Sequence, residues 1–425
     1  MNLTVLAAII ALLILLRWGA ELWLARLNRR HVLLHAGRVP EPFRGVIDEP
    51  AYARAVEYTL ARNRFSQFAD TYQTALLLVV LFSGLLPWAH EVFRARFGDS
   101  AWAMAAFLLS VGAVLSLPGW PLEWHEQFRL EQRFGFNTTT PKTWWLDRVK
   151  GFALALVLGF PLLALVLKFV EWTGEWWWLW AWGALLVFQL VMVVLAPVLI
   201  LPLFNKFTPL PEGSLRERLS RLAGRTRFPA RDLQVMDGSK RSRHSNAFFT
   251  GFGRWRKIVL FDTLLEQLSE SELEAVLAHE IGHYRLRHIP KMLMASALGS
   301  LAALWAIALL SRQDWFYRAF GFEPGSIVPA LLLFGLLAGT VTFWFSPLTH
   351  GWSRRYEYQA DAFAARAMNE ADSLISALRK LAEKNLSNLT PHPLYSAFHY
   401  SHPTLLERER ALAKWDAVAS VAVSP

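Results

Sequence analysis

His279, Glu280 and His283 follow the order His-Glu-x-x-His in His279-Glu280-Ile281-Gly282-His283. On a helix the two histidines stand at i and i+4, so their imidazoles leave one face and can share a single divalent cation. Such a pair suits zinc, bound at about 2.0–2.1 Å. Glu280 lies about 100° further round the helix, where its carboxylate reaches a water on the cation instead of the cation itself. That makes Glu280 the candidate general base for hydrolysis, with zinc lowering the pKa of the water to about 7. A bare pattern of this kind recurs by chance, and its plain alternative is a helix with two partly exposed histidines. An extended form with a downstream Gly and a third His is absent, because Leu286 and Ile289 stand there. The third ligand must come from elsewhere.

The chain has no cysteine, which excludes disulfides, thiolate nucleophiles and Cys-ligated zinc. Glu357, in Tyr356-Glu357-Tyr358-Gln359-Ala360-Asp361, is the best remaining ligand candidate. One apolar segment begins about nine residues after His283 and another ends about ten residues before Glu357. At 1.5 Å per residue both positions fall roughly 13–17 Å beyond the same membrane face, if the two helices continue outward as antiparallel neighbours. Asp361, one turn beyond Glu357, is placed to accept the free ring N–H of His279 or His283 and fix its tautomer. The plain alternative here is a surface carboxylate pair on a charged helix.

The elements that must position these residues lie in a chain of 425 residues that is 54% hydrophobic and carries 20 Trp, alongside long charged stretches. Apolar residues are therefore concentrated in blocks, the pattern of a polytopic membrane protein with soluble parts. Seven segments reach the ~20 apolar residues that cross a bilayer, near 2–24, 71–90, 101–119, 151–170, 176–203, 292–311 and 327–347. The first lacks a basic leader and a cleavage site and is followed by Arg26, Arg29 and Arg30, so it reads as an uncleaved helix with its N-terminus outside. Alternation then puts four regions in the cytoplasm, the loop after the first helix with Arg38, Arg44, Arg54, Arg62 and Arg64, the 120–150 loop, the 204–291 insertion and the C-terminal segment, in accord with the positive-inside rule. The long stretch at 176–203 is expected to tilt or break at Pro197. Trp176 to Trp178 and Trp180 read as an interfacial aromatic belt. The net charge of +10 and pI near 9.9 arise in loops flanking apolar segments, with no basic, aromatic-interleaved stripe of the kind that binds nucleic acid.

Four regions result: a membrane region 1–203, a catalytic insertion 204–291, two membrane helices in 292–347, and a C-terminal segment 348–425 with the third ligand. Within the insertion, Pro209, Pro211 and Gly213 signal turns before a charged helix near Ser214–Ala223 that Gly224 can end. The runs Ser245–Phe252 and Lys257–Phe261 predict a β-hairpin. A helix then starts at Ser269 or Ser271, each with a Glu three residues on as a capping box, and carries the motif. The residues after about Ala417 read as a frayed tail.

Several further motifs occur in order: Arg133-Phe134-Gly135-Phe136-Asn137 with Thr140 and Asp147, Ser239-Lys240-Arg241-Ser242, Asn246-Ala247-Phe248-Phe249-Thr250-Gly251, Ile258 to Thr263, the His279 motif, Glu357 to Asp361, and Ser401-His402-Pro403. Over most of its length the chain thereby resembles the M48 metallopeptidases, in particular the zinc-dependent CAAX prenyl proteases. The resemblance implies an α-helical polytopic membrane protein of about seven transmembrane helices around a water-filled chamber, with a zincin-like α+β catalytic domain. One zinc ion per chain would be held by His279, His283 and Glu357, with Glu280 as base. The segment Asn246, Ala247, Phe248 and Phe249 would pair with an extended substrate. His402 would stabilise the developing oxyanion and Arg408 would line the site. His288, His392 and His399 lack ligand spacing and read as structural or solvated.

The function implied is that of a zinc metalloendopeptidase acting on peptide or protein substrates in a lipid bilayer, by CAAX-type processing of prenylated C-termini or by membrane-protein quality control. A non-proteolytic membrane protein with a structural zinc, and a zinc hydrolase of non-peptide substrates, are the competing classes; an intact Glu280 speaks against the first. Short loops and an Arg-rich composition suggest a bacterial inner membrane, and no Cys-a-a-X terminus is present.

Overall fold

The computed structural model describes residues 3–228, 230–250 and 256–421. Six continuous helical stretches are long and apolar enough to cross a membrane: Leu3–His35, Glu49–Phe82, Ala101–Glu131, Pro141–Phe204, His288–Leu310 and Ile327–Met368. The fourth is 64 residues long and folds back at Gly174, whose φ of +54° suits a residue without a side chain, so that its halves pack against each other. It therefore provides two passes, giving the expected seven. Pro197 lies in a π-helical turn, Ala196–Ile200, which takes up the backbone hydrogen bond a proline cannot donate. The helices turn apolar side chains such as Leu16, Val187 and Val198 outward, the arrangement a hydrocarbon solvent requires. In the tryptophan cluster Trp176 and Trp180 are exposed, but Trp177 is buried inside the bundle instead of joining a belt.

The insertion after the fifth pass contains more strand than the expected hairpin. Strands β1 (Phe207–Pro209), β2 (Ala230–Met236), β3 (Ala247–Thr250) and β4 (Arg256–Phe261) form one sheet in the order β1-β2-β4-β3. The hairpin is the antiparallel β3–β4 pair, in which Ala247 opposes Leu260 and Phe249 opposes Ile258. β2 runs parallel to β4 and β1 antiparallel to β2. Asn246 precedes β3 and accepts the Phe261 N–H at its carbonyl. The part of the predicted run at Gly251 to Gly253 lies outside the described residues.

The sheet covers a core of Leu219, Leu222, Ile258, Leu260, Leu273, Leu277 and Ile281, shared with the helix Ser214–Arg225 and the motif helix Glu270–Arg285. The first of these runs one residue past Gly224. The motif helix starts on the predicted capping box: Ser269 Oγ accepts the Glu272 N–H and the Glu272 carboxylate accepts the Ser269 N–H. It stops at Leu286 and Arg287, and Arg287 takes a left-handed φ of +57° before His288–Leu310 begins. The motif helix is therefore not an outward continuation of the sixth membrane helix. The seventh does continue: Ile327–Thr342 passes through a short 3₁₀ turn, Phe343–Phe345, into the ligand helix Ser346–Met368. The final helix, Leu405–Val421, extends past Ala417 where a frayed tail was expected.

Candidate active site

The motif helix and the ligand helix cross in close contact. At Gly282 a Cβ would lie 3.0 Å from Ala360 Cα and 3.1 Å from the Ala360 carbonyl oxygen, so the absent side chain lets the two backbones meet. This brings His279 and His283 on one helix to Glu357 and Asp361 on the other.

The Nε2 atoms of His279 and His283 lie 3.2 Å apart. Each is 3.4 Å from a Glu357 carboxylate oxygen, His279 from Oε2 and His283 from Oε1. One donor atom from each of the three residues falls within a 4.8 Å cluster. The opposite ring nitrogens are tied down: His279 Nδ1 donates to Asp361 Oδ1 at 2.8 Å, and His283 Nδ1 is 3.0 Å from His288 Nδ1. His288 in turn reaches Gln359 Oε1 from its Nε2 at 2.9 Å and stacks on Tyr356 at 4.0 Å. Arg408 Nε donates to Asp361 Oδ2 at 2.8 Å, and its guanidinium lies 4.0 Å from Glu357.

Glu357 Oε2 is buried and, among the described residues, has His279 Nε2 at 3.4 Å and Arg408 at 4.0 Å facing it but no partner in hydrogen-bond geometry, which leaves its lone pairs available to a cation. Two imidazoles with their Nε2 atoms converging and Nδ1 atoms anchored, plus one carboxylate, form a three-ligand set that leaves a position open, the pattern of a hydrolytic zinc centre. The residues present fit zinc.

Burial disfavours charge on His279, yet the bond to Asp361 and the nearby Glu357 carboxylate outweigh it and push the imidazole up to about 9. Burial combines with the positive charge on His279 to bring His283 down to about 4. Glu280 sits beside this centre, half-buried; burial raises it, with the Glu357 charge adding to the effect against His279 and Arg408, to about 7.

His402 approaches from the loop before the last helix, its Nε2 3.5 Å from Glu357 Oε1 and its side chain exposed. Arg354 on the ligand helix holds this loop by donating to the Tyr400 carbonyl at 2.7 Å. Arg408 is mostly buried and committed to Asp361. β3 packs against the motif helix at the edge of the sheet, with Phe248 half-buried against Phe261. The side chain of Phe249 is outside the described residues. His288 is the residue sequence reasoning passed over. It was set aside for lacking ligand spacing, and it is not a ligand; it reaches His283 because the chain turns at Arg287, which the spacing does not reveal.

Residues 28–206 match the family model described as the CAAX prenyl protease N-terminal region of five membrane helices, and residues 209–416 match peptidase family M48. The chain is 36% identical to the CAAX prenyl protease 1 homolog of Arabidopsis thaliana, covering 90% of this chain and 92% of that one. It is 37% identical to CAAX prenyl protease 1 of Saccharomyces cerevisiae, over 90% of each. A crystal structure of S. mikatae Ste24p superposes with a TM-score of 0.89 at 33% identity, covering 97% of this chain and 99% of that one. These relatives are eukaryotic, so the expectation of a bacterial source and inner membrane finds no support; short loops and abundant arginine report membrane orientation, not origin. With the zinc set His279, His283 and Glu357 in place, the chain belongs to the M48 family of integral-membrane zinc metallopeptidases, as a CAAX prenyl protease 1 homologue.

Proposed function

We propose that the enzyme cleaves peptide bonds near the prenylated C-termini of membrane-associated proteins, with Glu280 as general base. The observation that carries the base assignment is the position of Glu280: half-buried on the motif helix between the two histidine ligands, beside the place where a zinc-bound water would stand. Zinc, when bound, supplies the Lewis acid that activates water and polarises the scissile carbonyl. Glu280 takes the proton from the attacking water and delivers it to the leaving nitrogen. His402, exposed at the mouth of the site, donates from its ring to the oxygen that gains charge. Asp361 and Arg408 orient His279 from behind, which makes Arg408 a positioning residue more than a substrate contact.

Among the described strands β3 lies at the edge of the sheet, which supports docking of an extended substrate by strand addition, with Asn246, Ala247, Phe248 and Phe249 as its backbone cradle. Membrane orientation follows the basic loops, with the N-terminus outside and the site towards the cytoplasm. The division into regions 1–203, 204–291, 292–347 and 348–425 separates a bundle that admits substrate from the parts that carry the ligands. Prenylated protein as substrate is supported by the names of the relatives.

Purified Glu280→Gln protein is expected to bind zinc at the wild-type level and lose cleavage by at least about 10²-fold, the scale of general-base catalysis. Retained cleavage would overturn the base assignment. A prenylated peptide cut in preference to its unprenylated form, with chelator abolishing both, is the expected outcome for the substrate; equal rates would remove the prenyl requirement.

A further inference from the structure

Two cavities of about 910 and 560 Å³ adjoin the site and share Tyr58, Arg62, Glu126 and His244 in their walls. The larger also has His402 and Arg408 in its wall, so it opens on the zinc centre. Four arginines line the two spaces. Arg408 pairs with Asp361, Arg148 with Glu123 and Arg241 with Asp147. Arg62 forms no ion pair within 4.0 Å among the described residues: its guanidinium lies 5.5 Å from the centre of the Tyr58 ring. The acidic neighbours do not take it up. Glu131 accepts the Tyr58 hydroxyl at 2.7 Å and pairs with His244, and Glu126 acts on Arg62 only from beyond ion-pair distance.

Arg62 touches the Tyr58 hydroxyl, and the Glu126 carboxylate stands in the same wall beyond ion-pair distance; a guanidinium with no direct carboxylate partner among the described residues can still take a planar anion through two parallel N–H donors. The rest of the larger cavity is not built for a polyanion. Leu378, Leu381 and Leu389 form one aliphatic stretch of a wall that otherwise carries polar side chains, so an apolar patch lies in the same space as Arg62, while Arg408 in that wall is already paired with Asp361. Its ligand chemistry is a short apolar chain that ends in a single negative charge.

We propose that this cavity is the leaving-side subsite of the enzyme, in which Arg62 binds the free C-terminal carboxylate of the substrate. The inference rests on the C-terminal processing proposed above. A cut inside a four-residue C-terminal box leaves at most three residues downstream, which span about 10 Å when extended. The cavity has the volume for such a segment, its leucines suit the aliphatic positions of a Cys-a-a-X sequence, and Arg62 supplies the counter-charge that marks a chain end. Recognition at Arg62 would place the scissile bond by measuring from the C-terminus.

The test uses the full-length protein with zinc and two prenylated-cysteine peptides of one sequence, ending in a free carboxylate or a carboxamide. The wild type is expected to cleave the acid with kcat/KM at least about tenfold above the amide, the scale of a charge-assisted pair. In Arg62→Gln the ratio of acid to amide falls towards one, and in Arg62→Lys, which keeps the charge but not the fork, part of the preference remains. Because each variant serves as its own control through the ratio, a general loss of folded protein does not imitate the result. Equal wild-type rates on the two peptides, or an undiminished ratio in Arg62→Gln, would overturn the subsite and leave the peptidase reading intact. Cleavage of neither peptide by the wild type would overturn the peptidase reading and the subsite together.

Discussion

The Nδ1 atoms of His283 and His288 lie 3.0 Å apart, and the other ring nitrogen of His288 is 2.9 Å from Gln359 Oε1. An amide oxygen only accepts, so His288 carries its proton on Nε2 and offers Nδ1 as acceptor to the Nδ1–H of His283. That fixes the His283 tautomer with its Nε2 lone pair towards the zinc position, as Asp361 does for His279. His288→Ala is expected to lower zinc affinity about 10–100-fold, read by competition with a chromophoric chelator. His288→Phe preserves a ring on Tyr356 but supplies no acceptor, and should lose affinity to the same degree. Unchanged affinity in both variants would show that His283 needs no relay.

Asp361 is nearly fully buried between His279 and Arg408. Asp361→Asn keeps the shape but removes the charge, leaving the Arg408 guanidinium without its partner. Zinc affinity should fall by at least about tenfold, with a loss of stability on the order of 3 kcal/mol from the unpaired buried cation. Chelator titration and denaturant unfolding check the two effects separately.

Gly282→Ala tests the helix crossing. The added methyl would stand 3.0 Å from Ala360 Cα and 3.1 Å from Phe363 Cβ, contacts that only movement of the helices can relieve. Destabilisation of about 1–3 kcal/mol is expected, together with weaker zinc binding, since His279 and His283 lie on one side of that crossing and Glu357 on the other. Thermal unfolding with and without zinc should show a smaller zinc-dependent rise in Tm than in the wild type.

Glu272 caps the motif helix and is buried. Burial alone raises its carboxyl, but bonds from Lys380, Ser376 and Ser269 outweigh that and hold it down at about 2, against an ordinary 4.5. A depressed folded-state pKa contributes stability above about pH 4.5 that is lost as pH falls towards 2. Wild type and Glu272→Gln should therefore differ in unfolding free energy by a constant amount from pH 7 to about 5, and converge below 4.5. A difference independent of pH down to 3 would count against a charge contribution.

With no native cysteine, single substitutions report orientation without background. In sealed vesicles with the cytoplasmic face outward, Arg38→Cys, exposed in the loop after the first membrane pass, should react with a membrane-impermeant maleimide, and Asp99→Cys, exposed in the loop after the second, only after permeabilisation. The opposite pattern would invert the proposed topology.

Features that depend on local chemistry were legible in the sequence: the Ser269 capping box, the β3–β4 hairpin, and the helical spacing of His279 and His283. Counting residues from the bilayer points to Glu357 on the assumption that both helices continue outward, and only the seventh does, through a 3₁₀ turn. The ligands still meet because the crossing at Gly282 replaces the missing continuity. β1 and β2 escaped notice since β1 has three residues and ends in Pro209, and β2 opens with Arg231 and Asp232, so neither shows a clear alternation. The His288 contact and the unpaired Arg62 exist only in three dimensions, the first because of a left-handed residue and the second because pairing among Arg148, Arg241 and their carboxylates leaves it over.

The break at Arg287 and the unbroken run from Ile327 to Met368 give the two halves of the zinc set different mechanical attachments. At 42 residues the run spans up to roughly 63 Å, about half of it beyond the hydrocarbon, with its 3₁₀ turn at Phe343–Phe345 between the membrane pass and the helix that carries Glu357 and Asp361. His279 and His283 ride on a helix jointed to its own membrane anchor. A tilt of the seventh pass to match bilayer thickness would reach the carboxylates through the 3₁₀ turn and the imidazoles through the Arg287 joint, so the two halves of the set are tied to the membrane by separate paths.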